Sequence, residues 1–96
     1  MNMIEVVQVI PHHNYDLIVY FDDGKIVRYN IGHLVGKGVF KVLIDIDFYM
    51  SRCTVMNHTV AWDISGDYDQ TKCLDLAPEV IYEDGMIISD PLKKIA

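Results

Sequence analysis

Cysteine is scarce in this sequence: Cys53 and Cys73 are the two, and they form no Cys-x-x-Cys pair. That excludes a zinc ribbon and a thioredoxin-type redox motif. Long apolar runs are missing as well, and no stretch approaches the roughly 20 residues that a membrane-spanning helix needs. Basic charge is in short supply, with 8 Lys and Arg against 14 Asp and Glu and a net charge of −6. Such a balance repels phosphate backbones, so nucleic acid is not an expected partner, and neither is a membrane. The opening residues lack a basic segment, and Glu5 interrupts their apolar character, so no secretory signal is expected. The expected location is a reducing cytoplasm, with both thiols free and buried as small apolar groups.

What the chain does have is apolar residues in short, punctuated segments. Its 96 residues suit one domain spanning 1–96, with a core over about 4–83 and a tail over 86–96. Met3 to Ile10 is rich in β-branched residues and ends at Pro11, which reads as a first strand. Tyr15 to Phe21 and Lys25 to Tyr29 flank Asp22-Asp23-Gly24, which reads as a hairpin. Asn30 is placed to cap a short helical turn that Gly36 ends. Val39 to Leu43 reads as a helical turn or irregular packing, and Asp45 to Tyr49 as a loop with apolar anchors. Cys53 to Met56 and Thr59 to Trp62 form a second hairpin around Asn57-His58. Asp63 to Lys72 reads as a polar loop, and Pro78 opens a short helix that Gly85 stops. Met86 to Ile88 is expected to add a strand or to cover a sheet face, and the tail after Pro91 to be loose. The fold class is therefore α+β: a mostly antiparallel sheet of two hairpins plus an N-terminal strand, with short helices.

Motifs that carry chemistry are thin. Gly32-His33-Leu34-Val35-Gly36-Lys37-Gly38 invites comparison with a phosphate loop, but the spacing is one residue short and Gly38 stands where a Ser or Thr must hold magnesium. His12, His13, His33 and His58 fall in connectors and turns, without the spacing that converges on a metal. Asp45-Ile46-Asp47 lacks the glycine and final glutamate of a calcium loop. Ser51 and Ser65 have no marked His partner. No catalytic, cofactor-binding or metal-binding residue is assigned, and no cofactor is expected. Trp62 reads as a core residue, with a partly exposed aromatic anchor as the functional alternative.

The order of these features resembles the small bacterial domain of unknown function 2442 family. Tyr15, Leu17, Phe21, Asp23 and Gly24 match its first hairpin, and Gly38, Phe40 and Leu43 its Gly-x-Phe-x-x-Leu segment. Trp62 matches its tryptophan strand, and Asp75, Leu76, Pro78, Glu79 and Tyr82 its Asp-Leu-x-Pro-Glu-x-x-Tyr segment. The link Asp63 to Lys72 is longer than the family's usual one. The resemblance implies an α+β fold with a mostly antiparallel sheet. It supplies no activity, and through gene neighbourhood it implies an accessory role in a toxin-antitoxin-like pair.

One pattern is unusual. The second strand is apolar on both faces, with Leu17, Val19 and Phe21 on one and Ile18 and Tyr20 on the other. The first strand sets Ile4 and Val6 against Val7 and Val9 in the same way. A sheet with one wet face alternates more cleanly, so a cover over the second face is expected. Candidates are Met86 to Ile88, a second copy of the chain, or another protein. The functional expectation is a protein-interaction or self-associating module using Val7, Val9, Ile18 and Tyr20. The alternative is a small-molecule-binding or catalytic domain with a pocket near residues 40–49.

Overall fold

The structure, a computed structural model, describes residues 4–93. Met3, where the first strand was expected to begin, and the end of the tail from Lys94 lie outside the described residues. Strands β1 (Val6–Pro11), β2 (Asp16–Phe21) and β3 (Ile26–Asn30) run antiparallel, and β7 (Met86–Ile87) completes a sheet of order β1-β2-β3-β7. Strands β4 (Cys53–Met56), β5 (Thr59–Asp63) and β6 (Cys73–Asp75) form a second antiparallel sheet in sequence order. A 3-10 segment, Gly38–Ile44, leads into helix α1 (Ile46–Arg52), and helix α2 (Pro78–Asp84) precedes β7. The fold is α+β.

Local chemistry accounts for the turns. Between β2 and β3 the chain reverses at Asp22-Asp23-Gly24, where Gly24 adopts φ +92° without steric cost. Between β4 and β5, Asn57 and His58 both hold positive φ (54° and 65°). That is the two-residue turn whose twist matches a hairpin.

The sheets share one core. Leu17, Val19, Val27, Ile31, Leu43, Tyr49, Val60, Trp62 and Ile81 are wholly buried in it. Full burial of side chains of this size contributes roughly 1.5–3 kcal/mol each. Strand β1 also packs against β4 and β5, and the Val6 N–H donates to the His58 carbonyl (2.9 Å), tying the first sheet to the second hairpin.

Two expectations need correction. First, Val6 pairs with Phe21 but Gln8 pairs with Tyr20, so Val7 is an extra, bulged residue. The bulge reverses the alternation after it: Val9 lies opposite Val19 on the core face, and Gln8 and Ile10 take the second face. Second, Asp45 to Tyr49 is not a loop. The Asp45 carboxylate accepts from the N–H groups of Asp47 (3.1 Å) and Phe48 (3.3 Å) and so caps α1. Cys73–Asp75, for which the sequence suggests no element, is the edge strand of the second sheet. After Asn30 the expected short helical turn is present: Asn30 Oδ1 accepts from Gly32 N (2.8 Å), and the Ile31 carbonyl accepts from Leu34 N (2.8 Å) and Val35 N (3.3 Å).

Gly85 joins α2 to β7 at an ordinary φ of −68°, so its role is steric. A Cβ there would lie 2.7 Å from both the Ile81 carbonyl oxygen and Val27 Cγ2. Gly85→Ala is expected to destabilise the domain by about 1–3 kcal/mol through forced displacement of α2 from β3. Urea denaturation checks this, and an unchanged midpoint would remove the close-approach explanation.

Candidate interaction surface

The residues carrying the family resemblance lie far apart in sequence, and the structure joins them. Tyr15 Oη donates to the Leu43 carbonyl (2.6 Å), fastening the first hairpin to the 3-10 segment. Trp62 Nε1 donates to the Tyr49 carbonyl (3.1 Å) and its ring stacks on that of Tyr49. Tyr82 Oη donates to Asp23 Oδ2 (2.6 Å), and its ring meets Phe21 edge-on. Lys25 Nζ donates to the Tyr82 carbonyl (2.7 Å) and sits 3.8 Å from the centre of the Tyr82 ring. The Tyr82 hydroxyl, and then the Lys25 backbone N–H, hold the Asp23 carboxyl below its ordinary range. The hairpin tip is thus bolted to α2, and the shared motif residues hold the fold together.

A model of this family, described as a protein of unknown function (DUF2442), matches residues 6–86. The chain belongs to the DUF2442 family. No curated protein and no solved structure matches it. Most DUF2442 signature residues are engaged internally, in the core or in bonds between elements.

The four residues read as one interface are not brought together. Val7 is exposed (58%) at the bulge, Val9 faces the core, and Ile18 and Tyr20 are buried at 5% and 9%. Trp62, read alternatively as an exposed anchor, is wholly buried, because β5 lies inside its sheet with every residue covered. The second face of β2 is covered within the chain. Tyr20 Oη donates to Asp90 Oδ1 (2.7 Å), and Asp90 Oδ1 also accepts from Leu92 N (2.9 Å). These bonds fold the segment after β7 over Tyr20. Burial, then the bond to Asp90 and its charge, push the Tyr20 phenol up to about 12. The same bond, followed by that from Leu92 N, lowers the Asp90 carboxyl.

The segment 40–49, expected to border a pocket, is packed. Leu43 and Tyr49 are wholly buried, and Phe40, Val42, Ile46 and Phe48 pack against the core. Open cavities lie elsewhere. One of about 370 Å³ lies by the second hairpin turn, lined by residues including Asn57, His58 and Gln70. A polar one of about 240 Å³ is lined by Ser51, Arg52, Thr54, Asp63, Gly66 and Tyr68. Its groups are already engaged: Arg52 Nη1 donates to the Asp63 carbonyl (2.8 Å), and the Asp63 carboxylate accepts from Gly66 N and Tyr68 N. A third, also about 240 Å³, is apolar and runs between the end of β3 and α2. Tyr29, Leu34, Leu76, Val80 and Ile81 line it, with Ala77 and His33 at its mouth.

Two groups with catalytic potential sit in unreactive surroundings. Burial pushes the Cys53 thiol up to about 12, which keeps it protonated and a poor nucleophile. Burial also raises Tyr49. Among the described residues no buried side-chain nitrogen or oxygen is left without a partner, and no three His, Cys, Asp or Glu side chains are arranged to hold a metal ion. No helix among them is long and apolar enough to cross a membrane.

The Tyr20–Asp90 bond gives a pH test. The raised Tyr20 phenol stabilises the fold fully below pH 10, and that contribution is lost as pH rises through about 12. The lowered Asp90 carboxyl contributes above its ordinary value of 3.8 and is lost as pH falls through its folded value. Tyr20→Phe is therefore expected to be less stable than the wild type at neutral pH. The gap closes at both acid and alkaline extremes, as measured by urea midpoints across pH. A gap that stays constant with pH would show that the bond does not form.

Proposed function

We propose that this domain is a protein-interaction module whose working surface is the edge formed by α2, β3 and β7, and whose partner is a different protein. The observation that carries this reading is the apolar exposure along that edge. Met86 and Ile87 are 60% and 69% exposed on the edge strand, and Val80 is 44% exposed on the helix that precedes it. Both α2 and β7 flank β3: Val80 lines the apolar groove, Ile87, opposite Val27, lies on the same face of the sheet as α2, and Met86, opposite Arg28, lies on the other face. Exposed apolar side chains gathered at a groove and rimmed by charge mark contact surfaces, whereas scattered ones do not.

Three further observations support it. The groove, at about 240 Å³, falls below the roughly 300–1,000 Å³ of sites for whole small molecules and suits the anchor side chain of a larger partner. On the second face of β2, Ile18 and Tyr20 are buried and the segment after β7 is bonded to Tyr20, which weakens the case for a second copy there. The net charge of −6 opposes pairing of identical surfaces, since a two-fold contact sets each patch against itself.

Val80, Met86 and Ile87 are exposed, so charged substitutions there alter the surface at a cost of about 0.5 kcal/mol or less in stability. The test is affinity capture with the full chain and with a Val80→Asp, Ile87→Asp variant of matched thermal stability. A partner held by the wild type and lost by the variant is the expected result. The same proteins held by both would remove this edge as the working surface. Light scattering at the highest soluble concentration is expected to give the mass of a monomer.

A further inference from the structure

We infer that the groove between β3 and α2 takes a basic segment of a partner protein, with one aliphatic anchor side chain flanked by Lys or Arg. This deepens, and rests on, the interaction reading above. The groove supplies the anchor site. Its floor is Ile81 and Leu76, both buried, and its walls are the ring of Tyr29 on β3, Leu34 beyond it, and Val80 on α2. Apart from Tyr29 and His33 the lining is aliphatic, so burial of an apolar side chain is the main attraction it offers.

The rim supplies the sign of charge. Helix α2 carries Glu79, Glu83 and Asp84, all exposed, and it has no basic residue in its last turn. Glu83 and Asp84 follow Val80 by three and four positions, so they share its face of the helix and stand beside the groove. The proximity of Asp84 registers at the groove wall: burial first, and then the charge of Asp84, raise the Tyr29 phenol. On the opposite wall, His33 lies edge-on to Tyr29, with ring centres 6.0 Å apart. A second copy of this chain brings its own acidic surface to the contact and is disfavoured, as is an acidic peptide or a nucleic acid. A cationic segment meets the carboxylates at the rim while its aliphatic side chain fills the groove, which is the usual division between a desolvated anchor and a polar rim.

The probe is a short synthetic peptide with a central leucine flanked on both sides by lysines, titrated into the isotope-labelled full chain and followed by amide and methyl shifts. A second peptide replaces every lysine with glutamate. The expected result is saturable movement of Tyr29, Leu34, Leu76 and Val80 signals with the lysine peptide. Binding should weaken as salt rises and fall about 3- to 30-fold in the full-length Glu83→Gln, Asp84→Asn variant, as two exposed ion pairs imply. Equal binding of the glutamate peptide at the same residues would overturn the basic-partner inference while leaving the groove as a docking site. Lysine-peptide shifts confined to other residues, or no saturable binding by either peptide, would overturn the groove itself.

Discussion

From Leu17 to Phe21, strand β2 offers water nothing on either face: all five side chains are buried, alternately toward the two sides of the sheet. Exposing one face of such a strand forfeits roughly 25 cal/mol for every Å² of apolar surface left in water. The chain therefore needs two covers, and much of the fold can be read as the means of providing them. The second sheet, the 3-10 segment and the two helices form the first, over Leu17, Val19 and Phe21. The segment that follows β7 forms the second, drawn over Tyr20 by its bond to Asp90. Placing α2 before β7 makes both covers possible, because the chain leaves the core side, pairs along the β3 edge and arrives on the other face.

The residues by which the family is recognised serve this arrangement. Tyr15, Trp62 and Tyr82 each pack an aromatic ring and spend their one donor on a distant carbonyl or carboxylate, so each fixes two elements at once. Asp23, Gly24, Gly38, Asp75 and Glu79 are the exposed members of the signature. A signature made largely of internal bolts specifies a scaffold, and a shared scaffold does not by itself specify a function.

Much of the scaffold was legible in the residues. Both hairpins follow from turn chemistry at Asp23-Gly24 and Asn57-His58, and α2 follows from Pro78 and Gly85 at its ends. The need for a second cover follows from the unbroken apolar run of β2. The misreadings have physical causes. The bulge at Val7 comes from pairing with β2, which the local run of β-branched residues does not reveal, and it moved Val9 from one face to the other. Helix α1 was hidden by the β-branched and aromatic residues that follow Asp45, although Asp45 as cap, Asp47 in the first turn and Arg52 in the last were all available as signals. The groove was the least legible feature. Tyr29, Leu76 and Val80 come from β3, the link before α2 and α2 itself, and their convergence depends on how closely Gly85 lets α2 approach β3. Trp62 read as a core residue, with an exposed anchor as the alternative, and the position of β5 places it in the core.

The central claim is that one chain covers both faces of its own strand β2. Nuclear Overhauser contacts between the Tyr20 ring and the Asp90 side chain test this most directly, recorded on full-length protein and again on an equal mixture of labelled and unlabelled chains. The account expects contacts within single chains, unchanged on dilution. An absence of such contacts, or contacts seen only between labelled and unlabelled chains, would contradict it.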